Sequence, residues 1–184
     1  MDASIRSLEK LGAAFDQFFF FPGNHDLYYK DKRDIHSTEF GKYIPGITIV
    51  EKPMTIGNVT LCPWLVGDEW KSINKHGGKY IFGHFELPHF FMNAMVQMPD
   101  HGSITLEAFE SYELGFSGHF HKRQTQNNIH YIGNAFPHNY ADAWDDDRGM
   151  MILEHGKKPE YRIWEDAPKF KVVKLSQLID DTDN

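Results

Sequence analysis

The feature that most constrains the fold is a run of four phenylalanines, residues 18–21, which ends abruptly at Pro22 and Gly23. Consecutive large apolar side chains are typical of a strand buried on both faces of a sheet. Pro and Gly then stop the strand and begin a turn. The turn carries an amide, an imidazole and a carboxylate: Asn24, His25 and Asp26. Because open α/β sheets place their sites just past the carboxyl ends of strands, this turn is a candidate functional site.

Two later stretches repeat the pattern of an apolar run, a glycine and a polar side chain. Residues 80–83 lead to His84, and residues 114–118 lead to His119, with His121 two positions further on. Glycine permits a close backbone turn, and histidine is the commonest metal ligand among side chains. In an extended segment His119 and His121 point to the same side, so they could share one cation or reach two. We predict that the strands ending at residues 21, 82 and 116 lie close together in a central sheet.

At these three turns the sequence resembles a known family. Gly-Asn-His-Asp, Gly-His and Gly-His-Phe-His, in that order, are similar to the last three motifs of calcineurin-like metallophosphoesterases. The wider stretch over residues 8–154 resembles the SbcD-type nucleases, including the recombination endonuclease subunits of T-even bacteriophages. The resemblance implies an α/β fold, a metallophosphoesterase-like sandwich around a central mixed β-sheet. It also implies a metal-dependent phosphodiesterase that acts as a DNA exo- or endonuclease subunit in recombination and repair.

The same resemblance implies a two-metal site. Asn24, His84 and His119 would bind one divalent ion and His121 the other. These ligand types suit manganese, iron or zinc better than calcium or magnesium, and the family favours manganese. His25 would stabilise the transition state or protonate the leaving oxygen, while Asp26 would orient the His25 ring.

The family also carries ligands that this sequence does not show. An Asp-x-His pair and a Gly-Asp-x-x-Asp segment end two earlier strands in the family, and neither pattern occurs before Gly23. We therefore expect an N-terminally truncated form of the fold. It would comprise a partial metallophosphoesterase domain over residues 1–165 and a tail, or the start of a C-terminal cap, over residues 166–184. Such a chain should bind metal poorly and hydrolyse little.

The charge of the chain restricts how it could contact DNA. With a formal net charge of −7 over 184 residues, it lacks a broadly basic surface, so local clusters or a bound cation must meet the phosphates. Two clusters directly follow motifs and are either substrate-binding groups or solvated loops: Lys30, Lys32 and Arg33, then Lys122 and Arg123. The acidic loop over residues 133–148 is interpreted as solvated. The single Cys62 excludes an internal disulfide and is expected to be buried.

The resemblance further implies an SMC-like ATPase partner and allows a homodimer. No apolar run is long enough to cross a membrane, so we expect no membrane contact and a cytoplasmic location, in the host cytoplasm for a phage-encoded chain. Two other functions stay open: a metallophosphoesterase for a small phosphoester, and a catalytically incomplete fragment that binds metal or acts as a scaffold.

Periodicity and turn signals predict the remaining elements. Residues 2–15 fit an amphipathic helix, residues 67–76 a short helix, and residues 103–112 a helix with Ser103 as N-cap. Strands are predicted over residues 47–50 and 129–132, together with hairpins turning at Gly57 and Gly156. Residues 87–101 should cover the core. After Pro168 we expect a short strand, then residues 175–179, then a disordered acidic end.

Overall fold

The structure is a computed structural model that describes residues 2–92 and 96–181. Helix α1 (Asp2–Ala14) precedes strand β1 (Phe18–Phe20), and β2 (Ile47–Ile49) pairs with β1 in parallel. The predicted amphipathic helix is therefore present. Its Gly12 lies against the turn before β2, where a Cβ would come 2.5 Å from the carbonyl oxygen of Pro45. The close approach of α1 to this turn thus depends on a residue without a side chain.

In the described part of the chain, six strands form the main sheet. They are β3 (Met54–Ile56), β4 (Val59–Cys62), β5 (Tyr80–Gly83), β6 (Leu114–Ser117), β7 (Gln124–Gln126) and β8 (Ile129–Tyr131), in the order β3-β4-β5-β6-β8-β7. The four inner strands run parallel, and β3 and β7 add antiparallel edges. This mixed sheet confirms the α/β class and the hairpin at Gly57.

A second hairpin and several short helices complete the chain. Strands β9 (Gly149–Ile152) and β10 (Glu160–Ile163) pair antiparallel around Gly156, as predicted, and α2 (Leu175–Asp181) follows. Single-turn and longer 3-10 helices cover Asn24–Asp26, Glu39–Tyr43, Glu69–Lys75, Leu106–Phe109 and Tyr140–Asp142. No helix in residues 2–92 or 96–181 is both long and apolar enough to span a membrane.

The two faces of the main sheet have different surroundings. One face packs on the core, where Ile81, Ile129 and Tyr131 meet Phe90 and Met98 from the segment over residues 87–101. That segment was expected to cover the core, and its buried side chains do so. The other face opens onto an apolar cavity of about 650 Å³ between the sheet, β1 and β9. Phe82 and Phe116 stack there with ring centroids 4.8 Å apart.

Several expectations are corrected by the structure. Strand β1 does not join β5 and β6 in the central sheet: within the described residues it pairs only with β2. Its phenylalanines are half-buried rather than buried on both faces, since Phe19 and Phe21 line the apolar cavity. Residues 103–112 form only a 3-10 helix with Thr105 before it, and Ser103 is exposed.

The tail also differs from the prediction. Residues 169–174 form no strand, and the helix α2 occupies the stretch over residues 175–181. The acidic end that was expected to be disordered lies at residues 182–184, outside the described residues.

Candidate metal centre at three strand ends

Three side chains from the three motifs meet at one point. Asn24 begins the turn after β1, whereas His84 and His119 follow β5 and β6, which are parallel neighbours and end at the same edge of the sheet. The Asn24 Oδ1 atom lies 3.0 Å from His84 Nε2 and 3.3 Å from His119 Nδ1. The two imidazole centroids are 5.3 Å apart. The structure therefore brings these three predicted ligands together, although β1 belongs to a different sheet.

The position of the His84 ring explains two of the motif glycines. A Cβ on Gly23 would lie 2.7 Å from His84 Cε1, and a Cβ on Gly118 would lie 3.1 Å from His84 Nδ1. The ring is thus held between the backbones of the first and third motifs. Any larger residue at Gly23 would push the imidazole away from Asn24.

His119 has an unusual backbone and a defined side-chain partner. Its φ is +85°, in the left-handed region that non-glycine residues rarely adopt. Such strain is concentrated at functional sites. Its Nε2 lies 2.9 Å from Glu86 Oε2, so an Nε2–H that donates to this carboxylate leaves Nδ1 facing Asn24. Glu86 was missed by sequence reasoning, but its position two residues after His84 in an extended segment was the available signal.

Both imidazoles of the centre are kept neutral by their surroundings. Burial, together with smaller effects of the neighbouring His119 and His25, lowers the pKa of His84 to about 3. Burial also lowers the pKa of His119, although the Glu86 carboxylate acts in the opposite direction. Neutral imidazole is the form that binds a metal.

His121 engages a different partner. Its Nδ1 lies 3.0 and 3.2 Å from the two carboxylate oxygens of Asp142, which also accepts a hydrogen bond from the His138 amide at 2.8 Å. Burial alone would raise the pKa of Asp142, but these hydrogen bonds and the charge of Arg148 bring it below its usual value. The acidic loop interpreted as solvated therefore contributes one buried carboxylate, only 5% exposed.

The first motif uses its carboxylate for structure. Asp26 accepts hydrogen bonds from the Gly23 amide at 2.8 Å and from the Ser37 hydroxyl at 2.9 Å. Asp26 therefore fixes the turn that presents Asn24, and its expected role of orienting the His25 ring stays a prediction. His25 is exposed beside the centre.

The chain is similar to a phage nuclease subunit. It is 29% identical over 141 residues to exonuclease subunit 1 of Enterobacteria phage T4, and the match covers 72% of this chain and 40% of the phage protein. The chain is related to a nuclease. It spans well under half the length of this relative, and no protein-family model matches the sequence. The match thus supports a nuclease-related family in general terms.

The five basic residues predicted to hold the nuclease substrate have different environments. Lys30 and Lys32 are exposed after the first motif. Arg33 is buried and donates two hydrogen bonds of 2.6 Å to Glu69 and one of 2.7 Å to the Glu51 carbonyl. Because its guanidinium donates hydrogen bonds to these groups of the same chain, Arg33 is not available to DNA phosphates. Its predicted role in substrate binding is therefore corrected.

The cluster after the third motif packs on aromatic rings. Arg123 lies 4.2 Å from the Tyr161 ring centroid, and its Nε and Nη2 atoms are buried without a partner in the described part of the chain. The Lys122 ammonium lies 5.5 Å from the Phe91 centroid.

The donor set of the centre fits a transition metal in part. No group of three or more histidine, cysteine, aspartate or glutamate side chains converges as a metal site in residues 2–92 and 96–181. The centre instead combines two neutral imidazoles with an amide oxygen, and its donor atoms are 3.0 and 3.3 Å apart. Ligands bound about 2 Å from one ion have a similar separation. When the Nε2–H of His119 donates to Glu86, the lone pair of Nδ1 faces the Asn24 oxygen, and a cation between these two atoms would relieve their repulsion.

Proposed function

We propose that this chain is the metal-binding part of a metallophosphoesterase of the SbcD type, a nuclease subunit that hydrolyses DNA phosphodiester bonds. The observation that carries the proposal is the convergence of Asn24, His84 and His119 at the strand ends. Similarity over 141 residues to a phage exonuclease subunit supports a nucleic acid as the substrate. Two divalent ions would serve the complete site, of which this chain's residues would hold one, with manganese preferred and iron or zinc as alternatives.

The chain's own residues hold and prepare the ligands. Asn24, His84 and His119 would bind one ion, and His121 would contribute to the second. When bound, the ions would activate a water molecule and polarise the phosphate. Glu86 and Asp142 accept the outward N–H of His119 and His121, which fixes the tautomer and directs the other ring nitrogen towards a ligand.

The exposed His25 supplies the acid–base group. It follows the ligand Asn24 directly, and its charge is close enough to lower the pKa of His84. An imidazole in this place can donate a proton to the leaving oxygen of a phosphodiester. Lys30, Lys32 and Lys122 are the basic residues left to contact phosphates on either side of the scissile bond.

An SMC-like ATPase is the proposed partner. The phage relative is itself described as a subunit, and a chain of net charge −7 gains little DNA affinity from its own surface. A partner that holds DNA would supply the affinity that this chain lacks.

A second candidate is a metal-binding scaffold without catalysis. It is favoured by the donor set, because three converging ligands from the described residues can hold one ion but include no carboxylate to bridge two. The two candidates differ in whether the bound ion leads to hydrolysis.

Cleavage of a labelled DNA tests the proposal. Duplex and single-stranded DNA, and a small aryl phosphodiester, are incubated with the chain and Mn²⁺, Mg²⁺ or EDTA. We expect slow DNA cleavage with Mn²⁺ that EDTA and His84→Ala abolish and that His101→Ala, an exposed loop histidine, leaves intact. Cleavage that His84→Ala does not affect would contradict the proposal, and metal binding without any cleavage would favour the scaffold.

A further inference from the structure

A small recess adjoins the candidate metal centre. Its volume is about 190 Å³, and it is lined by Trp64, Leu65, Trp70, Ile104 and Ser103 together with His84 and Glu86 of the centre. Pockets that hold drug-sized ligands begin at about 300 Å³. The recess is therefore suited to one planar ring system rather than to a whole nucleotide.

Two tryptophans give the recess an aromatic wall. The Trp64 ring lines the recess, with its centroid 5.9 Å from that of His84 and 5.3 Å from that of His119. Trp70 packs against the apolar core from the next short helix. Aromatic side chains are the surfaces on which unpaired nucleobases stack.

The buried Arg33 fixes both tryptophans. Its guanidinium donates to the Trp64 carbonyl and to Glu69, the residue before Trp70. The Trp64 amide donates to the Pro22 carbonyl at 2.9 Å, in the first motif. The Trp64 backbone thus links the recess to the first motif, and Arg33 joins Trp64 to Glu69, so the aromatic wall is formed before a ligand binds. Preorganisation of this kind lowers the entropic cost of binding.

The charge of the recess selects a base over a phosphate. Glu86 is one wall, and its carboxylate would repel a phosphate. The same carboxylate, with the Ser103 hydroxyl, can accept hydrogen bonds from the N–H edge of a neutral base. Because His84 and Glu86 belong to both the recess and the centre, a base in the recess belongs to the nucleotide whose phosphate lies at the centre.

We propose that the recess between Trp64 and Trp70 binds the unstacked nucleobase of the nucleotide next to the scissile phosphate. This rests on the proposed function for the phosphate position, but base binding itself is measured without hydrolysis. The ligand chemistry is a nucleobase, carried either by a DNA strand end or by a free nucleotide. A substrate with a frayed or single-stranded end follows from this, since a paired base cannot enter the recess.

Tryptophan fluorescence tests base binding. The chain has four tryptophans, and replacing the exposed Trp144 and Trp164 with Phe leaves the emission of Trp64 and Trp70. Three probes are titrated in EDTA at low salt: deoxyadenosine monophosphate, a short single-stranded oligonucleotide, and an oligonucleotide of equal length with abasic sugars. We expect quenching by the first two probes and none by the abasic strand. Tighter binding of the oligonucleotide than of the mononucleotide identifies a DNA strand as the source of the base.

Variants show whether the recess is responsible. With fluorescein-labelled strands followed by anisotropy, Trp70→Ala should weaken binding of the base-containing strand about tenfold, in line with the loss of one stacking contact. Binding of the abasic strand should be unchanged. Ser103→Phe, at an exposed position, should block the recess without removing a core contact. Trp164→Ala is the control and should bind as the parent chain does.

The outcomes separate this proposal from the proposed function. Quenching by the abasic strand, or unchanged binding of the base-containing strand to both Trp70→Ala and Ser103→Phe, would overturn the base-binding recess even if DNA cleavage is observed. Base-dependent quenching without cleavage would keep the recess and discard the hydrolytic function.

Discussion

At the scale of single residues, the geometry of the centre depends on the absence of a side chain at Gly23 and Gly118 as much as on the ligands. The His84 ring fits between these glycines: a methyl group on Gly23 would lie 2.7 Å from it, and one on Gly118 would lie 3.1 Å from it, a tight contact. Glu86 and Asp142 then contact His119 and His121 from outside. The position of His84 is therefore set by the backbone, whereas the tautomers of His119 and His121 are set by carboxylates.

The glycine contact leads to a mutational prediction. Gly23→Ala should lower cation affinity about tenfold, because the new methyl group displaces His84, and overpacking should cost about 1–3 kcal/mol of stability. Gly57→Ala is the matched control. Its φ of +56° makes alanine strained, but nothing lies within 4 Å of the new Cβ. It should lose stability yet bind cations normally, as measured by thermal unfolding and Mn²⁺ titration.

The buried His84 makes stability depend on pH. Its pKa falls from the model-compound value of 6.5 to about 3 on folding. Between these pH values the unfolded chain therefore binds a proton at His84 that the folded chain does not bind. Above pH 6.5 this group does not change the free energy of unfolding. As the pH falls from 6.5 towards 3, the free energy of unfolding decreases by about 1.4 kcal/mol per pH unit. Urea unfolding at pH 7.5 and 5.5 should show a smaller loss for His84→Gln than for the parent chain. An equal loss in both proteins would show that His84 does not cause the dependence.

At the scale of elements, most strands and the tight turns were predictable, whereas the type and extent of the short helices were not. The apolar runs at β5 and β6 and the Gly57 turn carry local signals, and their elements appear within a residue of the prediction. Helices do occur within residues 67–76 and 103–112, but they are 3-10 helices over Glu69–Lys75 and Leu106–Phe109. The type and extent of such short segments are governed by packing rather than by propensity. β7 carries the residues Gln124–Gln126, which have no strand signal, and pairs with β8 across the Asn127 turn. The pairing of β1 depends on long-range contacts that no local pattern reports.

The segment over residues 87–101 is tested by one core substitution. Phe90 is fully buried, and its ring lies 4.6 Å from that of Tyr131. Phe90→Ala should therefore cost about 3–5 kcal/mol. Phe136→Ala, at a position that is 45% exposed, should cost far less. Equal denaturation midpoints for the two variants would mean that this segment does not belong to the core.

At the scale of the whole molecule, the net charge does not favour the substrate that we propose for the site. The net charge of −7 opposes DNA, and the structure removes Arg33 from the candidate contacts. Lys30, Lys32 and Lys122 remain as candidate contacts, because the Arg123 guanidinium packs on Tyr161 with its Nε and Nη2 atoms buried. The sequence could indicate that these basic clusters follow the motifs. It could not indicate that Arg33 pairs with Glu69, because these two residues are far apart in the chain.

DNA affinity should accordingly be low and sensitive to salt. Contacts from three lysines give a slope of about −3 in a plot of log affinity against log salt concentration. Changing Lys30, Lys32 and Lys122 to Ala should remove most of the binding and flatten the slope. The control exchanges three exposed lysines elsewhere, Lys157, Lys158 and Lys169, in the same way. If the two triple variants bind a DNA duplex with the same slope, the motif lysines are solvated loop residues.

The central question for this molecule is whether Asn24, His84 and His119 hold one cation. Titration of the metal-free chain with Co²⁺, followed by its visible absorption, reports both affinity and the nitrogen and oxygen ligands. One weakly bound ion per chain is expected, with the absorption lost in Asn24→Ala, His84→Ala and His119→Ala and kept in His101→Ala. The same spectrum and affinity in all four variants would contradict a metal centre at these strand ends.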